Sequence, residues 1–189
     1  MFIGGLMKVH VLIYEGFTEF EVILANYFVK TKGEIVAVGL KEDIIKSFEG
    51  FCIKPDIALK DVNLEDVEAL IIPGGDPDEL FNCKELKEVL VKLNEDKKLI
   101  GAICSGVIHL AQAGILDNKR YTSNLNMNDN FILKNSTLIN ENVSRDENII
   151  TARPNGYVDF AIEIAEYLDI FEDENDLRET IENFKYFKL

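Results

Sequence analysis

The chain has 189 residues, 47% hydrophobic and 29% charged, with 12 glycines and only 4 prolines; that is the profile of a globular protein with a full core, not of a disordered one. Its net charge of −14 argues against a nucleic-acid partner, which needs Lys and Arg to displace counterions, and against docking on anionic membranes. No run reaches the roughly 20 apolar residues that span a bilayer, and the opening MFIGGLMKVHV lacks the basic and long apolar regions of a signal peptide.

Cys52, Cys83 and Cys104 are odd in number and unevenly spaced, with no C-x-x-C and only two histidines. A disulfide framework and a zinc site are therefore not expected, and a reducing cytoplasm is the expected setting. Met7 offers an alternative start, which would make residues 1–7 an N-terminal tail.

In chain order, KVHVLIY (8–14) reads as a strand and EFEVILANYFVK (19–30) as a helix. EIVAVGL (34–40) is a strand, followed by the weaker strand candidates IIKSFEG and FCIKPDI. VEALIIPGG (67–75) is a buried strand ending in a glycine turn. Residues 76–96 read as a helix, with Asp76 as N-cap, Pro77 at the first helical position and Glu79 completing a capping box.

KLIGAI is another buried strand, and SGVIHLAQAG a helix stopped at Gly114. Residues 117–140 are less regular; a hairpin candidate centres on 142–152, and GYVDFAIEIAEYL follows as a helix. After it comes an acidic amphipathic tail over 171–187, with Phe171, Leu177, Ile181 and Phe184 near one face, a pattern that packs on this subunit or a partner. Strands that are apolar throughout need cover on both faces, and intervening helices imply right-handed crossovers. The pattern predicts one three-layer α/β sandwich, 1–189, with a mostly parallel sheet and an extra C-terminal helix at 169–189. Ligands meet the carboxyl ends of such strands. IIPGG (71–75) and GAICSG (101–106) both point there.

GAICSG has the form small-x-nucleophile-x-Gly at a strand-to-helix corner, the spacing of a nucleophile elbow. Ala102 and Gly106 supply the small flanks. The helix N-terminus offers unpaired N–H groups and partial positive charge, which favours a thiolate at Cys104. The Ser105 N–H, with Gly75 or Gly74 from the neighbouring loop, would stabilise an oxyanion. The competing reading is a buried, inert cysteine at a tight turn. Cys52 and Cys83 lack such a context and read as packing residues.

The two histidines do not suit the role of base. His109 lies five positions past Cys104, about 140° around the helix, and His10 sits inside the first strand. Glu21 is the better candidate, just past the carboxyl end of the first strand. Turned toward a semi-buried pocket, its carboxyl would have its pKa raised and would share a proton with the sulfur. Equally, Thr18 and Glu21 form a capping box and Phe17 with Val22 has hydrophobic-staple spacing, so Glu21 reads as well as a plain helix cap.

VLIYEGFTEFEV, ALIIPGG, GAICSG and ITARPNGYVDFAIEIAEYL, in that order and spacing, resemble the ThiJ/PfpI superfamily, whose folds are class I glutamine-amidotransferase-like. The likeness runs from about Lys8 to Leu168. It implies a flavodoxin-like sandwich with Cys104 as nucleophile, Glu21 as its acidic partner and Gly75 with Ser105 as oxyanion donors. It also implies a homodimer, a small-molecule substrate and no metal or organic cofactor. Activities in the family include glyoxalase and deglycase chemistry, isonitrile hydration and peptidase or amidase action; other members sense oxidants or act as chaperones.

The chain departs from the family in three places. Protease-like members carry a histidine after the cysteine, where this chain has Ser105; other members carry one in the segment where RYTSNLN offers Asn124. Without a Cys-His dyad, peptidase action is disfavoured. The family's SRGPG stands here as ARPNG, which keeps Arg153, a salt-bridge or substrate-pocket candidate alongside Asn124 and Gly74. The expected activity is addition of the Cys104 thiolate to a small electrophilic carbon. The alternatives are an oxidation-sensing or chaperone-like stress protein without turnover, and a scaffold whose thiol is vestigial.

Overall fold

The computed structural model describes residues 6–81, 83–125 and 133–188. Its elements in chain order are β1 (Met7–Leu12), α1 (Phe20–Val29), β2 (Gly33–Gly39), β3 (Ile45–Lys46), β4 (Cys52–Ile53), β5 (Ile57–Ala58) and β6 (Ala69–Ile72). There follow α2 (Lys84–Glu95), β7 (Leu99–Ile103), α3 (Val107–Ala113), β8 (Arg120–Tyr121), β9 (Thr137–Leu138), β10 (Val143–Asp146), β11 (Ile149–Ala152), α4 (Tyr157–Tyr167) and α5 (Glu174–Phe184).

Seven strands form the main sheet in the order β10-β11-β7-β6-β1-β2-β5. All neighbours are parallel except the β10–β11 hairpin. The central strands β6 and β7 are buried at every residue, as strands covered on both faces must be. α1 packs on α4, and α2 on α3, so helices flank the sheet in a flavodoxin-like sandwich. The sheet order reverses between β6 and β7 on one side and β1 on the other, so the loops after these three strands converge at their carboxyl ends.

Four details differ from the sequence reading. Met7, placed in the tail, begins β1 and pairs with Gly33; residues 1–5 lie outside the described residues. α2 begins at Lys84 rather than after Asp76. Residues 77–81 form turns instead, because the Asp76 carboxylate takes the Asp78 amide while Glu79 reaches across to the Glu15 amide. The two weak strand candidates are the small antiparallel β3–β4 pair, outside the main sheet. The irregular stretch holds a short parallel β8–β9 pair, and its residues 126–132 lie outside the described residues.

The tail forms α5, begun by Asp173, whose carboxylate accepts the Asn175 and Asp176 amides. Phe184 stacks edge-on against Phe28 of α1 at 5.1 Å between ring centroids, and Phe171 meets the same ring at 6.2 Å. The apolar face read from the sequence thus packs on this chain's own α1.

Candidate active site

Cys104 sits where β7 gives way to a single 3₁₀ turn, 104–106, that leads into α3. Its φ is +57°, in the left-handed region that a residue with a Cβ avoids, at a cost on the order of 1 kcal/mol. The strained turn projects the side chain, half-buried, from the carboxyl edge of the sheet. Closeness on the flank enforces the small residue there. A Cβ on Gly106 would stand 2.6 Å from the Ile72 carbonyl oxygen and 2.7 Å from that of Pro73.

Glu21 lies in the first turn of α1 and is 2% exposed. It does not cap its own helix. Its Oε2 accepts the Gly74 amide at 2.7 Å, and its carboxyl lies beside the Cys104 sulfur across Gly74. Gly74 makes this meeting possible: a Cβ there would lie 2.6 Å from Glu21 Oε2 and 2.9 Å from Cys104 Sγ. The capping work falls instead to Glu49, between β3 and β4. Its two carboxylate oxygens accept the Glu19 amide at 3.0 Å and the Phe20 amide at 3.1 Å. Against the pull of its own burial, these amides hold the Glu49 carboxyl below the usual range.

Burial raises the Glu21 carboxyl, with the Gly74 amide and the neighbouring Cys104 pulling the other way. Burial and then the neighbouring Glu21 carboxylate push the Cys104 thiol up from 9.0 to about 11, against the Ser105 amide and hydroxyl. The expectation of a depressed thiol is therefore reversed. Burial first, and then the neighbouring carboxylate, oppose negative charge on the sulfur more strongly than the short helix supports it.

The expected oxyanion donors are differently engaged. The Gly75 amide donates to Ser105 Oγ at 2.9 Å, and that hydroxyl donates to the Gly75 carbonyl at 2.8 Å. The Gly74 amide belongs to Glu21. Of the three, the Ser105 amide is the one that favours negative charge on the sulfur. The serine side chain, read before only for its backbone, clips the two loops together. Tyr14, fully buried beneath them, donates to the Pro73 carbonyl at 3.1 Å; burial drives its phenol well above its ordinary range.

Arg153 follows β11, whose Ala152 is in register with Ile103, so its backbone lies beside that of Cys104. Its guanidinium donates to Asn140 Oδ1 at 3.0 Å. Asn124 is exposed, two residues past Thr122, which is tied to Thr151 of β11. Among the described residues no hydrogen bond links Arg153 or Asn124 to Cys104 or Glu21. His10 and His109 are buried and do not hydrogen-bond Cys104. Among the described residues no group of three or more His, Cys, Asp and Glu stands ready to hold a metal, and no helix is long and apolar enough to cross a membrane.

Sequence reasoning missed Glu49, Tyr14 and the Ser105 hydroxyl. Glu49 carried no local motif, since its partners lie 29 and 30 residues away. Tyr14 was legible only as the end of an apolar strand.

Residues 7–167 match the family model described as the DJ-1/PfpI family. A glutathione-independent glyoxalase of Caenorhabditis elegans is 32% identical over 162 residues, 84% of this chain and 87% of the relative. A deglycase of Thermococcus kodakarensis is 28% identical over 152 residues, 79% of this chain and 92% of its own. The solved thiJ/pfpI family protein of Bacillus anthracis superposes with a TM-score of 0.85 at 22% identity, over 97% of this chain and 93% of that one. Drosophila melanogaster DJ-1beta does so with a TM-score of 0.81 at 24% identity, over 98% and 100%. With this match over most of its length, the chain belongs to the DJ-1/PfpI family, and its chemistry is of that family's cysteine-dependent kind.

Proposed function

We propose that the chain is a cofactor-independent enzyme that adds the Cys104 sulfur to a small electrophilic carbon, with an α-oxoaldehyde as the preferred substrate class. The observation that carries this reading is the convergence of the buried Glu21 carboxyl and the Cys104 sulfur on one point at Gly74. A thiol held near 11 needs a base at the moment of attack. Glu21, with its carboxyl raised toward neutrality, is matched to take that proton and return it.

As sulfur bonds to the aldehyde carbon, the thiol proton passes to Glu21 and then to the new alkoxide. Glu21 next takes the hydrogen of that carbon as a proton, leaving an enediolate, and returns it to the adjacent carbon, while the proton on the first oxygen passes to the second; the product is a thioester of the hydroxy acid. Water releases the acid and restores the thiol. The Ser105 amide supports the developing oxyanion, and the Gly75 amide joins it once the Ser105 hydroxyl lets go. Related proteins described as deglycases and as a glutathione-independent glyoxalase support the substrate class. Isonitrile hydration uses the same first step on a different carbon. Oxidant sensing without turnover fits less well, because the ionised sulfur is the form oxidants attack.

We also take the chain to act as a homodimer. The exposed Phe20, Ile23 and Tyr27 of α1 line an apolar groove of about 560 Å³ with Tyr157 and Phe187, an apolar face that a second copy would cover.

The test is incubation with methylglyoxal, an isonitrile panel and a glycated peptide, with lactate and other products followed by NMR. Turnover of methylglyoxal, lost in Cys104→Ser and reduced at least 100-fold in Glu21→Gln, about the scale of a lost general base, supports the reading. Absence of turnover on every member of the panel overturns it.

A further inference from the structure

A second cavity, of about 240 Å³, opens between the head of α2 and α3, and none of its lining residues belongs to the Cys104 site. We propose that Cys83 in this cavity is a separate thiolation site, which forms a mixed disulfide with one half of a small disulfide bearing carboxylates and N–H donors.

The first observation is an orphaned acceptor. His109 lines the cavity and is 2% exposed. Its Nδ1 pairs with Gln112 Oε1 at 3.2 Å, and an amide oxygen only accepts, so Nδ1 carries the hydrogen. Nε2 is left as a lone pair, buried and without a partner among the described residues. Burial also holds the ring neutral. A buried acceptor of this kind calls for a donor from outside the fold.

The second observation is charge. Lys84 and Lys87 stand exposed at the mouth, and among the described residues neither belongs to an ion pair. Two uncommitted ammoniums at the positive end of α2 favour an anion, in a chain whose net charge is −14.

The third is the thiol. Cys83 is the N-cap residue of α2, yet its side chain makes no capping bond, and it is free and half-buried against the apolar floor of Leu80 and Leu86. The helix head and the lysines draw a carboxylate-bearing disulfide toward this thiol. The cavity is smaller than the roughly 300 Å³ at which ligand pockets for drug-sized molecules begin, which suits half a disulfide.

The exchange balances without further reagents. The Cys83 sulfur, its proton given to solvent, attacks one sulfur of the disulfide. The new S–S bond forms as the old one breaks, and the departing thiolate takes a proton from water. Cys83 and the captured half end as a mixed disulfide, while the other half leaves reduced. Carboxylates of the captured half face Lys84 and Lys87, and its N–H faces His109 Nε2.

The test uses the full chain carrying Cys104→Ser, so its outcome does not depend on the activity proposed for Cys104. Oxidised glutathione is added and modification of each cysteine is followed by peptide mass spectrometry, with the exposed Cys52 as internal reference. Cys83 is expected to react about tenfold faster than Cys52, the scale of electrostatic steering of an anionic reagent by nearby cations. Cystamine, the same bond carrying ammoniums instead of carboxylates, is expected to show no such preference. Lys84→Gln with Lys87→Gln should bring the glutathione rate at Cys83 down to that of Cys52 without slowing cystamine. His109→Phe should also slow it, and if that variant fails to fold the lysine variant decides. Cys83 reacting no faster than Cys52, preferring cystamine equally, or ignoring loss of both lysines overturns the proposal.

Discussion

Glu49 occupies the head of α1 from 28 residues beyond Glu21, and by taking the Glu19 and Phe20 amides it leaves Glu21 free to turn inward to Gly74 and Cys104. A glutamate in the first turn of a helix ordinarily folds back on its own N-terminus. Here that place is filled from the β3–β4 hairpin, and the filling charge also raises the Glu21 carboxyl.

Glu49→Ala should therefore have two effects. Loss of a cap costs about 1 kcal/mol of stability, measured by urea denaturation. The loosened first turn also lets Glu21 move away from the sulfur. Since the Glu21 charge is part of what holds the thiol up, the apparent pKa of Cys104 should fall toward 9.0 in a pH series of alkylation rates. A stability loss with an unmoved profile would reduce Glu49 to a structural cap.

Gly74→Ala tests the slot in which acid and sulfur meet. The added methyl lies too close to Glu21 Oε2 and Cys104 Sγ for all three to stay, and the side chains give way before the sheet does. The expected cost is about 1–3 kcal/mol, with loss of turnover and a thiol whose reactivity no longer responds to Glu21→Gln. Gly106→Ala meets backbone carbonyls instead, which have nowhere to go. That variant should be the less stable of the two by thermal melting. Equal melting of both would contradict the packing.

These contrasts show where the sequence was readable. Apolar runs such as ALII and LIGAI declare buried parallel strands by composition alone, and A-x-C-x-G declares a corner where strand and helix touch, because steric demands act on neighbours in the chain. The engagement of Glu21 was legible only as two equal alternatives, since its resolution rests on Glu49 and Gly74, far along the chain. The helix start at Asp76 misled for the same reason. Pro77 and Glu79 satisfy every local rule, yet Glu79 binds the Glu15 amide, 64 residues away. The sign of the Cys104 shift was likewise hidden, because burial and a carboxylate from another element outweigh the local helix end.

Stability at alkaline pH should carry the signature of Cys104. Its folded pKa, about 11, lies above the ordinary 9.0, so the folded state keeps a proton that the unfolded chain has released. The stabilisation is complete below about 9 and is lost as pH rises through about 11. Urea titrations of the parent and Cys104→Ser, compared at successive pH values, should converge over that window by on the order of 2 kcal/mol. Tyr14 titrates in both chains and cancels in the difference. A constant difference across the window would mean that the thiol is not held up.

The α1 face gives the last prediction. Phe20 and Ile23 are each 48% exposed and Tyr27 60%, on the same helix whose inner face buries Val22, Ala25 and Val29. A helix apolar on both sides needs cover on both sides. α5 covers one margin through Phe184, which reaches Tyr27 at 6.0 Å as well as Phe28, and the groove beyond it stays open. A second copy seated there would bury roughly 800 Å² on each partner in an interface of ordinary size. The full chain should sediment as a dimer at about micromolar concentration, the range such interfaces support. Ile23→Asp should sediment as a monomer with an unchanged circular dichroism spectrum, because the substituted side chain points to solvent in the single chain. A parent chain that stays monomeric, or an Ile23→Asp chain that stays dimeric, would remove this face from the assembly.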